Sequence, residues 1–170
     1  PPSLFSVGTY HSIHSVQGFT QGAKAYAVMI DNEEGVLAPF KDVDIVDITN
    51  PAAPEIVAEV GLEDWPAAQA PLANGDTVFF HDVQFKRIGG HDFLALSYWD
   101  AGQVLLNVDD PSNPVFVGDS DYLSPDPLTG FEISEGNSHE SYWSSNNKYL
   151  ISTDEDFSPF RTLFEITTGP

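Results

Sequence analysis

Apolar and polar positions alternate along this chain in short bursts, and the bursts recur in the same order. Three segments open on a histidine: His14-Ser-Val-Gln-Gly-Phe19, His81-Asp-Val-Gln-Phe-Lys86 and His139-Glu-Ser-Tyr-Trp-Ser144. A short polar turn follows each, at Thr20 to Gly22, Arg87 to Gly90 and Ser145 to Asn147. Each turn leads into an apolar run: Ala25 to Ile30, Phe93 to Tyr98 and Lys148 to Thr153. Two such runs across a Gly- or Asn-bearing turn predict a β-hairpin. A third strand is expected at Val43 to Ile48, Gln103 to Val108 and Arg161 to Ile166. The first two of these enter one connector type, Asn50-Pro-Ala-Ala-Pro54 and Asp110-Pro-Ser-Asn-Pro114. Prolines spaced this way cannot lie inside a central strand, so the segment is a fixed turn. A fourth strand follows at Glu55 to Val60 and Val115 to Gly118.

The order is therefore A, B, C, D, twice in full, with a third copy that stops after C. Pro2 to Tyr10 has the character of a D strand, so one unit is split between the N- and C-terminal strands. The expected fold is all-β: a β-propeller-like array of about three four-stranded antiparallel blades, part of a larger propeller. Its expected parts are an outer strand at 1–10, unit 1 at 11–66, unit 2 at 77–122 and an incomplete unit 3 at 137–170. The His-to-His spacings of 67 and 58 residues exceed the ~40–50 of a compact blade. The excess falls in Gly35 to Lys41, Leu62 to Asp76 and Asp119 to Gly136. Loops on a rigid β scaffold are where binding concentrates. One short helical turn is expected around Glu63 to Ala70.

The connector and its flanks, Val43-Asp-Ile-Val-Asp-Ile-Thr-Asn-Pro-Ala-Ala-Pro54 and Leu105-Leu-Asn-Val-Asp-Asp-Pro-Ser-Asn-Pro114, resemble the LVIVD repeat. The resemblance runs over essentially the whole chain. It weakens at Phe164 to Pro170, where Gly169 stands in place of the first proline. It implies a β-propeller in proteins commonly exported or displayed on the cell surface, mainly in bacteria and archaea, and it implies no reaction. The His-x-Val-Gln opening is also similar to propellers of the selenium-binding and methanethiol oxidase kind, a resemblance that implies histidines near the axis holding a metal.

Composition narrows the partners. Twenty-six acidic residues stand against six basic ones, a net charge of -20. No set of Lys and Arg exists to neutralise nucleic-acid phosphates or to meet an anionic membrane. With no cysteine, disulfides, thiolate metal sites and Cys nucleophiles are excluded. No apolar run is long enough to cross a bilayer. The chain opens at Pro1 with neither an initiator Met nor a visible signal peptide, as a trimmed chain would. No nucleophile elbow, phosphate-binding loop or dinucleotide fingerprint is present.

Two groups of residues carry candidate chemistry. His14, His81 and His139 hold one equivalent position on strand A, the innermost strand of a propeller, where converging imidazoles suit a transition metal. The plainer alternative is that each satisfies backbone groups at a loop-to-strand junction. Asp154, Glu155 and Asp156 crowd hard oxygen ligands that suit calcium, against the alternative of a solvated acidic turn. Asp42 and Asp44 are expected to face outward from strand C. The leading functional expectation is a non-catalytic, exported module for binding, adhesion or extracellular assembly. Its expected partners are surface protein or carbohydrate and further blades or copies of itself. The alternatives are a metal-dependent enzyme with axial histidines and a structural subunit of an extracellular assembly.

Overall fold

A computed structural model of the chain describes residues 13–31, 41–69, 79–99, 101–120 and 138–155. These form an all-β structure of two four-stranded antiparallel sheets and a two-stranded one. The first sheet is β1 (Ile13–Gln21), β2 (Lys24–Asp31), β3 (Val43–Asp47) and β4 (Glu55–Val60), side by side in chain order. The second repeats that order with β5 (Phe80–Ile88), β6 (His91–Tyr98), β7 (Gly102–Asn107) and β8 (Val115–Asp119). The third is the hairpin β9 (Ser138–Trp143) and β10 (Leu150–Asp154). The proposed strands at Pro2 to Tyr10 and Arg161 to Ile166 lie outside the described residues. No sheet closes on itself among the described residues, and no helix there is long and apolar enough to cross a membrane.

Local chemistry sets each corner. The β1–β2 turn is two residues long with Gly22 at φ +60°. The β5–β6 turn places Gly89 and Gly90 at φ +62° and +91°, the two positive values that a tight hairpin requires and that favour Gly. In the third hairpin Asn147 takes that role at φ +59°. The two proline connectors are the same turn. Ala53 N–H donates to the Asn50 carbonyl at 2.9 Å, and Asn113 N–H donates to the Asp110 carbonyl at 2.9 Å. The side chains of Asn50 and Asp110 each accept a second backbone N–H, from Ala52 and Ser112. Beyond β4, a 3-10 turn (Leu62–Asp64) and a four-residue helix, α1 (Pro66–Gln69), fill the place expected for one helical turn.

The main core lies between the first two sheets. Val28, Ile30, Val43 and Ile45 from one side and Leu94, Leu96, Val104 and Leu106 from the other are fully buried. Phe19 of β1 stacks on Phe85 of β5 with ring centroids 4.6 Å apart. At the same end, Gln21 Nε2 crosses between sheets to Asp92 Oδ2 (2.8 Å) and to the Val108 carbonyl (3.0 Å). Arg87 grips both oxygens of Asp92, at 2.6 and 2.7 Å, and holds this buried carboxyl below the usual carboxylate range. The opening strands neighbour one another in turn, β1 beside β5 and β5 beside β9.

Two orientations differ from expectation. Asp44 is buried rather than outward-facing, because β3 is covered over Val43–Val46 on both faces and alternation there does not separate core from solvent. Asp42 also turns inward and accepts a 2.7 Å hydrogen bond from the hydroxyl of the buried Tyr98 in the second sheet. Burial pushes the Asp42 carboxyl up to about 7. The folded state therefore holds this proton more tightly than the unfolded chain does. The stabilisation is full below pH ~4, where both states are protonated, and is lost as pH rises towards 7. General charge repulsion acts in the same direction, so the comparison must be internal. Asp42→Asn is expected to flatten part of the decline in urea midpoint between pH 4 and 8. An unchanged slope would mean that Asp42 contributes nothing to it.

Candidate metal centre on the opening strands

The three sequence-equivalent histidines come together through one backbone device. In β5, Phe80 pairs with Tyr98 and Asp82 with Ser97, so His81 is an extra residue with no partner in the ladder. In β9, Ser138 pairs with Asp154 and Glu140 with Thr153, which leaves His139 in the same position. In β1, His14 and Ser15 together oppose Ile30. Each histidine thus sits in a β-bulge, which interrupts strict alternation and re-aims the side chain.

The bulges stack the imidazoles in a column. Ring centroids lie 4.3 Å apart for His14 and His81, and 4.0 Å apart for His81 and His139. His14 Nδ1 lies 3.0 Å from the carbonyl oxygen of His81, and His81 Nδ1 lies 2.9 Å from that of His139. A carbonyl only accepts, so each Nδ1 carries the proton and donates. That fixes the tautomer and leaves Nε2 of His14 and His81 with a lone pair. The structural role expected for these histidines, satisfying backbone, is present. It also prepares a ligand nitrogen, as the second hydrogen bond of a metal-binding histidine does. Phe79 and Trp99 wall the column, with Phe79 edge-on to His14 at 5.3 Å and packed on Trp99 at 4.7 Å. Burial, followed by the neighbouring His139 and His14, pushes the His81 imidazolium below its ordinary pKa.

Glu155 completes the group. It follows β10, whose last residue pairs with Ser138, and this register brings it beside His139. Its two oxygens lie 3.8 Å from His81 Nε2 and 3.9 Å from His139 Nε2. One donor atom from each of His81, His139 and Glu155 falls within 4.8 Å of the others. On metal bonds of ~2.1 Å, neighbouring tetrahedral ligands stand about 3.4 Å apart, so donors spread over as much as 4.8 Å would need to close by no more than about 1.4 Å. His14 lies one step farther along the column and is outside this group of three. Asp154 is outside it too, and Asp156 lies outside the described residues. The acidic residue at 155 thus joins imidazole nitrogens in a set suited to a borderline transition metal rather than to calcium.

Repetition alone signalled the histidines. Glu155 was not linked to them by sequence, since only strand pairing shows that positions 139 and 155 meet. Comparison of the chain with protein-family models, with curated proteins and with solved structures gave no match.

Proposed function

We propose that this chain is a section of an LVIVD-type β-propeller, exported or displayed at the cell surface, that binds a transition metal through His81, His139 and Glu155. It acts in binding or assembly with surface protein, carbohydrate or further blades. The observation that carries the metal reading is the convergence of two imidazoles, that of His81 oriented by its Nδ1 hydrogen bond, and one carboxylate beside the aromatic wall of Phe79 and Trp99. The propeller reading is supported by the repeated four-strand order and by the succession of β1, β5 and β9 as neighbours. A second reading, a metal-dependent enzyme, is favoured by one feature. Two nitrogens and one oxygen leave coordination positions open for water or substrate.

Titration of chelator-stripped protein with Zn²⁺, Cu²⁺ and Ca²⁺ tests the metal reading. One equivalent of transition metal is expected to bind, with Ca²⁺ unable to displace it. Glu155→Gln removes the anionic ligand and is expected to weaken binding by at least tenfold, since even partners that only orient a ligand are worth ~10–100-fold. Failure to bind a stoichiometric transition metal would end this reading.

A further inference from the structure

The repeat makes each unit a control for the others, and the two ends of the stack depart from the middle in one consistent way. Counting from the histidines aligns Val16 with Val83 and Gln17 with Gln84 and Tyr142, and cross-strand pairing then aligns Val28 with Ala95 and Ile151, and Tyr26 with Phe93 and Tyr149. The pairings Gln17↔Val28, Gln84↔Ala95 and Tyr142↔Ile151 place these residues on matching rungs. On the first sheet, Phe19 faces the second sheet. Its cross-strand partner Tyr26, and with it Val28, therefore faces the same way. On the third sheet, Ser152 accepts a 2.9 Å hydrogen bond from Gln103 of the second sheet, so Ile151, its neighbour on the strand, turns away from that sheet.

Exposure follows this pattern. Tyr26 and Val28 are 5% and 0% exposed, whereas their equivalents Tyr149 and Ile151 are 65% and 58% exposed. At the other end of the stack, Val83 is 1% exposed and its equivalent Val16 is 63% exposed. The third sheet presents the face that the first sheet uses to bury itself on the second. The first sheet presents the face that the second uses to receive it. The two free faces are the two halves of the contact already repeated inside the chain.

We infer that these faces meet between two copies of this chain, head to tail. The contact is heterologous, and two such contacts related by a two-fold axis close a ring. The three sheets among the described residues, taken from two copies, give six in the ring, within the ~4–8 of propellers. Closure also continues the histidine ladder: His139 Nδ1 would donate to the His14 carbonyl of the second copy, as His14 and His81 donate within the chain. A further imidazole would then stack on His139, as His14 stacks on His81 within the chain. The inference rests on the reading of the units as propeller blades. It does not require the metal. A net charge of -20 on each copy opposes association, and salt screens that repulsion.

Light scattering at ~1 M and ~0.05 M NaCl, with and without chelator, tests it. The expected mass at high salt is twice 18.6 kDa, with dissociation favoured at low salt. Val16→Asp and Ile151→Asp each alter a position already exposed in the single copy, so both variants should fold, as circular dichroism can check. Each alone is expected to be monomeric. Mixed together they retain one intact pair of faces and should recover a two-chain species. A monomer at every salt overturns the inference. So does a dimer broken by Ile151→Asp but indifferent to Val16→Asp, since that contact would join like faces. A metal-free protein that still passes these tests would remove the metal reading and leave the assembly standing.

Discussion

His81→Ala is expected to abolish stoichiometric transition-metal binding, with a loss of at least a hundredfold in affinity, while His14→Ala weakens it far less. His81 occupies the middle of the column. Its Nε2 faces Glu155, its Nδ1 is anchored on the His139 carbonyl, and its ring packs between those of His14 and His139. Removing it deletes a ligand and also leaves the His14 ring without the imidazole it stacks on. Within one copy, His14 acts on the site through that stack and through its hydrogen bond to the His81 carbonyl. Its loss should therefore cost no more than the ~10–100-fold typical of groups that orient a ligand. Competition titration against a chromophoric chelator measures both variants. Equal losses for His14 and His81 would mean that the metal sits between all three rings rather than at the Glu155 end.

The histidines were legible in the sequence because the repeat is. Three imidazoles at equivalent positions imply three equivalent places in the fold, whatever the fold is. Their direction was not legible. A strand read by alternation sends every second side chain to one face, and the bulges at His14, His81 and His139 break that count by a residue that only the pairing of both strands shows. The same limit hid the role of Glu155. Read along the chain it belongs with Asp154 and Asp156, and read across the β9–β10 ladder it belongs with His139. Neighbourhood in an antiparallel hairpin depends on register, and the turn at Ser145–Lys148 sets that register.

The architecture was more open to reading because its punctuation is local. The glycines at 22, 89 and 90 and Asn147 occupy positive-φ positions in the three hairpin turns. The residues at 50 and 110 each fold a proline connector on their own side chain. These determine where strands end without any tertiary contact. Asp44 shows where local rules stop. Polar residues alternating along β3 suggested a solvated face, but the strand is central in its sheet and covered on both faces. The inward turn of Asp42 likewise depends on Tyr98, 56 residues away and in the other sheet.

That cross-sheet contact depends on packing, and Phe80→Ala is expected to expose the dependence with the largest stability loss of any single change proposed for this chain. Phe80 is fully buried, pairs with Tyr98 across the β5–β6 ladder and stacks on its ring at 4.9 Å. Truncating a buried phenylalanine costs about 3–5 kcal/mol through lost transfer energy and the cavity left behind. Against a total of about 5–15 kcal/mol, that is a large fraction. For a chain of this length it corresponds to a fall in melting temperature of roughly 6–20 °C. Tyr98→Phe separates packing from polarity at the same place. It keeps the ring stack and removes the hydroxyl that donates to Asp42, at an expected cost of about 1–3 kcal/mol for a buried polar group left unsatisfied. Thermal melts of the two variants at one pH below 4 and one above 7 complete the comparison. The Tyr98→Phe penalty should grow at the higher pH, where the Asp42 carboxylate must carry its charge without the Tyr98 donor, whereas the Phe80→Ala penalty should vary less. If Tyr98→Phe proved as costly as Phe80→Ala at the lower pH, the two sheets would be joined here by the hydrogen bond, with the aromatic stack serving mainly to place the hydroxyl.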